Sequence, residues 1–364
     1  MKKTLSLFIA VLLAISPLAA SAVSVSAESA VLINGESGEV LYSKDADKRR
    51  GPASTTKIMT ALVAIENCPI DKIVTVSPDA VGVEGSSVYL KPKEKISMES
   101  LLYALLLSSA NDAAAAIAYE VAGGIPEFAE LMNEKAASLG LVNTHFSNPH
   151  GLDDAEHYTT ARELALIARA ALENEIFSKI VSTKKKLILR DGEESRLLVN
   201  HNRLLFEYDD VIGVKTGYTK RCGRTLVSAS EKDGVFLIAV TLSDGNDWAD
   251  HRAMLDYGYD KIECVTLCKA GDFCRTLHVC GGDLSDVSVC TKECLTLTLP
   301  KDRGRINATL ELPKFLYAPV CSGQSVGRVV FSLDGKTIGT TDVIASDDVK
   351  IKNDNGKGFL FWKK

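Results

Sequence analysis

Ser54 and Lys57, in the run Ser54-Thr55-Thr56-Lys57, carry the most direct chemistry in this chain. On a helix, positions three apart share a face, so the hydroxyl and the amine can meet. A serine hydroxyl attacks a carbonyl only when a base takes its proton. A lysine becomes that base when burial or neighbouring positive charge lowers its pKa. The positive end of a helix starting here would favour negative charge developing on the serine. The plainer alternative is a capping serine beside a solvated lysine. The apolar run of Ile58, Met59, Ala61, Leu62, Val63 and Ile65 argues against it. That run is apolar almost all round, which marks a buried helix, and a lysine at its head is drawn inside with it.

Two further groups supply polar contacts. Ser109-Ala110-Asn111 lies between two strongly apolar stretches. Ser109 can relay a proton and Asn111 can hydrogen-bond a peptide amide, although Ser109 could equally cap a helix beginning near Asp112. Lys215-Thr216-Gly217 follows the strand-like run Val211 to Val214. Lys215 brings charge and Thr216 a hydroxyl, which suit a carboxylate. Gly217 lets a ligand backbone approach the strand. Alone, this tripeptide reads as a strand ending in a turn.

These groups need elements to hold them. Val31 to Ile33 and Val40 to Tyr42 flank Asn34-Gly35 and Ser37-Gly38, which predicts a hairpin. A helix is expected from about Ser54, a second capped by Ser97 and carrying Leu101 to Leu107, and a third over Asp112 to Val121. Thr160 and Glu163 fit a capping box. Leu226 to Ser230 and Val235 to Leu242 read as strands paired about Lys232-Asp233-Gly234, with a closing helix over Trp248 to Tyr257. Strands at both ends with helices between predict an α/β (α+β) domain, an antiparallel sheet flanked by helices. Beyond Lys261, Lys261 to Lys269, Val287 to Leu299, Ile306 to Leu312, Gly327 to Ser332 and Thr337 to Ile344 predict a small all-β domain.

The chain has 364 residues, 46% of them hydrophobic and 24% charged, which suits two globular units. A formal net charge of −5 argues against a nucleic-acid partner. Lys2 and Lys3, an apolar run from Leu5 to Ile15, and small residues at Ala20-Ser21-Ala22 and Val25-Ser26-Ala27 follow the order of a secretory signal peptide. The run is too short to span a bilayer. Cleavage is expected after Ala22 or Ala27, placing the mature protein outside the cytoplasmic membrane. The tail ends in Phe359-Leu360-Phe361-Trp362-Lys363-Lys364, which suits weak peripheral contact with a membrane surface or packing on its own domain. His145, His150 and His157 match no zinc spacing and read as loop residues, so no metal and no cofactor is expected. Of nine cysteines, Cys68 and Cys222 stand alone; the rest crowd the last third. Cys264 and Cys268, like Cys290 and Cys294, are spaced for one strand face, off the main core face. Cross-strand disulfides, reduced thiols and a metal site all remain open readings of them.

The three groups, in this order, are the motif set of penicillin-binding proteins and class A β-lactamases. Pro52 to Leu62, Leu101 to Leu107, His145 to Leu152 and Gly213 to Thr219 resemble the low-molecular-mass D-alanyl-D-alanine carboxypeptidases, a likeness running from Ser29 to Ile262. The resemblance implies a β-lactamase/transpeptidase-like fold over residues 28–262, after a signal peptide of residues 1–27. It also implies a C-terminal β domain over residues 263–350, followed by the tail, residues 351–364. The implied reaction removes the terminal D-alanine of peptidoglycan stem peptides through an acyl-enzyme that β-lactams also form. By resemblance, Ser54 is the nucleophile, Lys57 the base and Ser109 the proton relay. Asn111 holds the substrate amide and orients Lys57, while Lys215, Thr216 and Gly217 face the terminal carboxylate. The N–H groups of Ser54 and Tyr218 form the oxyanion hole. Ala110 replaces a usual glycine. His201, with Arg203 two residues on, is the nearest match to an arginine that some relatives use for the carboxylate.

Two other readings share the motifs. A class A β-lactamase needs a carboxylate to activate the deacylating water, and no Glu-x-x-x-Asn element lies between Asn111 and Lys215. A β-lactam or peptidoglycan sensor would acylate without turnover.

Overall fold

The computed structural model describes residues 23–190 and 193–352. The leader before Val23 and the tail from Phe359 lie outside the described residues.

The predicted first hairpin is β1 (Ser29–Asn34) and β2 (Val40–Lys44). Asn34 sets its turn, its side-chain oxygen accepting from the N–H groups of Glu36 and Ser37. A 3-10 turn over Ala53–Thr56 leads into α1 (Lys57–Asn67), buried from Lys57 to Ala64. The short strands β3 (Ile73–Thr75) and β4 (Lys95–Ser97) pair. Next come α2 (Met98–Leu107), α3 (Asn111–Ala122) and α4 (Ile125–Ser138). Ser97 caps α2 as expected, accepting from the Ser100 N–H. Ser109 does not cap α3; Ala110 holds that position with no side-chain cap.

After a long loop follow α5 (Ala161–Leu172) and α6 (Glu175–Val181), a hairpin of β5 (Lys185–Arg190) and β6 (Glu193–Val199), and α7 (Leu204–Glu207). Thr160 caps α5 at 3.1 Å from the Glu163 N–H. The Glu163 carboxylate accepts from the Val142 and Asn143 N–H groups, so it ties a neighbouring loop to the helix. Then β7 (Val211–Thr219), β8 (Gly223–Lys232) and β9 (Val235–Asp244) run to α8 (Asp247–Lys261).

The main sheet has the order β2-β1-β9-β8-β7, antiparallel throughout and assembled from both ends of this region. One face carries the large core with α1, α2, α3 and α5; the other packs α8 through Leu32, Leu237, Met254 and Leu255. The segment before β1 is fixed as well. The Ser26 hydroxyl lies 2.8 Å from an Asp244 oxygen and 2.7 Å from an Asp250 oxygen, and Ala27 is fully buried.

The remaining strands are β10 (Ile262–Cys268), β11 (Arg275–Cys280), β12 (Asp286–Thr291), β13 (Leu295–Pro300), β14 (Ile306–Glu311), β15 (Phe315–Tyr317), β16 (Ser325–Leu333) and β17 (Lys336–Ala345). They form a six-stranded sheet, β14-β16-β17-β12-β11-β15, and a pair, β10-β13, with their own core around Val289, Val329, Phe331 and Val343.

Two expectations change here. The single strand expected over Val287 to Leu299 is two strands in different sheets, so Cys290 and Cys294 share no strand face. Cys268 is buried in the β core, against the expectation that it lies off it. A register shift between Thr266 and Cys268 is the reason: an irregularity there reverses the alternation that Cys264 begins. The thiols are unpaired.

Candidate active site

Ser54 lies in the 3-10 turn ahead of α1. The turn is pinned from two sides, the Pro52 carbonyl accepting from the Thr55 hydroxyl at 2.6 Å and from Thr225 of β8 at 2.9 Å. Lys57 follows at the head of α1. Its Nζ is 3.1 Å from Ser54 Oγ, 2.7 Å from Asn111 Oδ1 and 2.5 Å from the His150 carbonyl. The amine is fully buried, and burial first, then the positive charge of Lys215, hold its pKa well below the usual lysine value; Asp112 opposes them. This is the environment that turns a lysine into a base.

Ser109 sits on the loop between α2 and α3, nearly buried, with φ +59°. Ala53, just before Ser54, has φ +50°. Left-handed backbone at a non-glycine residue costs about 1–2 kcal/mol and persists where surrounding contacts impose it.

Lys215, Thr216 and Gly217 lie within β7, not at a strand end, and β7 is the edge of the sheet. Lys215 is buried and donates to the Thr216 carbonyl at 2.8 Å. Burial brings its pKa down to about 7. At Gly217, a Cβ would stand 2.8 Å from the Ser54 nitrogen and 2.3 Å from Thr225 Oγ1. Only glycine allows β7 and the Ser54 turn to approach this closely.

An open cavity of about 530 Å³ collects these groups. Ser54, Ser109, Thr216, Gly217 and Tyr218 line it, with Ser86, His201, Arg224, Asp247 and Trp248. Lys57, Asn111 and Lys215 are not among the lining residues and are buried, Lys57 and Asn111 bonded to each other. All eight sequence-predicted site residues therefore converge on one place. Arg203 does not join them; its guanidinium pairs with Glu207. A different arginine does. Arg224 on β8 stands directly across from Tyr218 on β7, and it lies 3.5 Å from Asp247. Sequence reading missed Arg224 because its relation to the third motif is a cross-strand register. It missed the His150 contact because a backbone carbonyl has no residue-type signature.

The histidines in the 145–157 loop are structural supports. The Ser147 N–H donates to His157 Nδ1, so Nε2 carries the proton and donates to Thr56 Oγ1 at 2.8 Å. Burial lowers His150 to about 3 and His157 to about 4, so both are neutral at ordinary pH. Among the described residues, no group of His, Cys, Asp or Glu side chains is placed to hold a metal ion.

Residues 16–246 match the D-alanyl-D-alanine carboxypeptidase family, and residues 263–351 match the penicillin-binding protein 5 C-terminal domain. The chain is 32% identical over 328 residues to D-alanyl-D-alanine carboxypeptidase DacF of Bacillus subtilis, covering 87% of this chain and 84% of that one. It is 35% identical over 349 residues to D-alanyl-D-alanine carboxypeptidase DacC of Escherichia coli, covering 90% and 86%. Among solved structures, penicillin-binding protein 5 from Haemophilus influenzae superposes with a TM-score of 0.67 at 30% identity, covering 90% of this chain and 98% of that one. With the Ser54–Lys57 pair beneath an open cleft and matches on both sides of Ile262, the chain belongs to the D-alanyl-D-alanine carboxypeptidases, the low-molecular-mass penicillin-binding proteins with a serine-peptidase domain and a C-terminal β domain.

Proposed function

We propose that Ser54 is the nucleophile of this D-alanyl-D-alanine carboxypeptidase and Lys57 its general base. The observation that carries this reading is the buried Lys57 amine 3.1 Å from Ser54 Oγ, beneath the cavity. Ser54 Oγ attacks the carbonyl of the penultimate D-alanine as its proton passes to Lys57. The N–H groups of Ser54 and Tyr218 receive the negative oxygen, a contribution of about 2.7–4 kcal/mol per donor in such sites. Collapse breaks the peptide C–N bond, the departing D-alanine amine takes a proton relayed by Ser109, and water then hydrolyses the ester on Ser54. Asn111 orients both substrate and base. Lys215, Thr216 and Gly217 face the substrate carboxylate, and Arg224 brings a guanidinium to the same cleft. A β-lactam follows the same first step.

The test is labelling by fluorescent penicillin. Ser54→Ala abolishes it while far-UV circular dichroism is unchanged; full labelling of the folded variant would refute the assignment. Turnover of diacetyl-Lys-D-Ala-D-Ala separates a carboxypeptidase from a sensor or a β-lactamase.

The same reading covers export. It places a signal peptide ahead of a catalytic unit over residues 28–262 and a β unit over residues 263–350. The packing of Ser26 and Ala27 favours cleavage after Ala22 over cleavage after Ala27. Intact mass of the exported protein reads the site directly. Among the described residues, no helix is long and apolar enough to cross a membrane. Weak attachment through Phe359 to Lys364 would be lost from anionic liposomes when those six residues are deleted.

A further inference from the structure

Asp112, next to Asn111, does not line the cleft, yet it is a fully buried carboxylate at the start of α3. Apart from the Ala113 N–H on its own helix, its partners lie in one segment. Oδ2 accepts from the Ser87 hydroxyl at 2.6 Å and the Leu90 N–H at 2.9 Å; Oδ1 accepts from the Val88 N–H at 3.1 Å and from the Ala113 N–H at 3.0 Å. A carboxylate with this many donors is fixed in place, and it fixes them in turn.

The segment it holds runs back to the catalytic groups. The Ser86 carbonyl accepts from the Asn111 N–H at 2.7 Å, and Ser86 lines the cleft beside Ser54. The Glu84 carbonyl accepts from Asn111 Nδ2. That contact settles which way the Asn111 amide faces, because Oδ1 is then left for the Lys57 amine at 2.7 Å. Gly85, at φ +96°, is where the segment bends past Asn111; a Cβ there would stand 2.8 Å from Nδ2. From outside, Arg196 donates to the Val88 carbonyl and lies over the Tyr89 ring.

We propose that Asp112 is a positioning residue for the base: it clamps the 84–90 segment against α3, so that the Glu84 carbonyl orients Asn111 and Asn111 orients Lys57. The proposal rests on Lys57 being the base that serves Ser54. Asp112 acts on Lys57 in a second way, through its charge. The charged groups facing Lys57 are Asp112 on α3 and Lys215 on β7, while His150 and His157 beside it are neutral. Lys215 lowers the Lys57 pKa and Asp112 raises it.

The experiment measures the second-order rate of acylation by fluorescent penicillin against pH, on the full chain, for wild type, Asp112→Asn and Ser87→Ala. Asp112→Asn keeps the shape but loses both the charge and an acceptor. Its maximal rate should fall about 10–100-fold, the scale of a catalytic group displaced by roughly an ångström. Its acid limb should also move to lower pH. Ser87→Ala removes one clamp donor and keeps the charge, so the rate should fall less, about 3–10-fold, with the acid limb unmoved. Folded Asp112→Asn with a wild-type rate overturns the proposal. So does a fall in rate with an unmoved acid limb, the mark of a merely structural role. If Asp112→Asn does not fold, Ser87→Ala decides, and a wild-type rate there overturns the clamp. Labelling of Ser54→Ala would instead sink the underlying assignment, whatever the Asp112 result.

Discussion

The region up to Lys261 and the β-rich region after it treat buried polarity in opposite ways. The first encloses Lys57, Lys215, Asp112, Asn111 and His251. Among the described residues after Ile262, the buried polar side chains are Thr291 and Thr341. Burying a charged or polar group costs folding free energy unless partners compensate. Cores therefore exclude such groups unless something else requires them. In His251 the requirement is packing: its two ring nitrogens bridge Ser228 and Thr241 across adjacent strands. Among the described residues, no carboxylate pairs with Lys57 or Lys215 at ion-pair distance; their amines donate to Asn111 and to the Thr216 carbonyl, and the cost is carried at the cleft itself. The catalytic region is thus where the fold holds energetically unfavourable groups in place. The β region is an ordinary alternating sheet.

The largest test of that contrast is the base. Lys57→Arg keeps the charge but cannot give up its proton at working pH. Penicillin acylation should fall at least ~100-fold, the scale of a lost general base. A variant within tenfold of wild type would point to another base. Thr216→Val comes next. It removes the cleft-lining hydroxyl proposed to face the carboxylate and nearly keeps the shape. Hydrolysis of diacetyl-Lys-D-Ala-D-Ala should fall about 10–100-fold, as for a lost hydrogen bond to a charged group. Acylation by penicillin should fall less, and equal losses would assign Thr216 to general positioning.

The cost itself is measurable through stability. Folded Lys215 loses its proton near pH 7, while the unfolded lysine holds its proton to about 10.5. Between those values the unfolded state binds more protons, so this group makes folding more favourable as pH rises, and its full penalty is present below pH 7. Lys215→Met should therefore melt at least ~3 °C above wild type at pH 6, with the gain shrinking toward pH 10. A lower melting point at pH 6 would mean that the amine is compensated in place. The smallest effect belongs to the β region. Cys268→Ser puts a hydroxyl in an apolar core and should cost about 1–3 kcal/mol in denaturant unfolding. Exposed Cys294→Ser should stay within about 0.5 kcal/mol.

The same contrast separates what could be read from the sequence. The three motifs were legible because each is local: a serine and lysine one helical turn apart, a tripeptide between two helices, a tripeptide in a strand. The β1–β2 and β8–β9 hairpins were legible from turn residues, and Asp233 and Gly234 do take left-handed backbone. The β5–β6 hairpin left no such mark. It carries Leu187, Leu189, Leu197 and Val199 toward solvent, so it lacks the polar alternation that announces a half-buried strand. Helix α4 has no clear mark either: Gly123, Gly124 and Pro126 interrupt the helical pattern ahead of it, although glycine ends α3 and proline starts α4. Arg224, the His150 carbonyl and the irregularity before Cys268 depend on register or backbone, and neither is written in residue type.

The pairing of β1 with β9 also sets an order of events. Ser26 and the carboxylate of Asp250 are 224 residues apart in sequence, and β1 lies in the sheet between β2 and β9. A chain made, or passed through a membrane, from its N-terminus must leave β1 waiting on one edge until β9 arrives. Contacts of such long sequence separation are slow to form. The Ser54 turn and the β7 strand that faces it therefore meet late, and the cleft that Ser54 lines is closed only after most of the chain has been delivered.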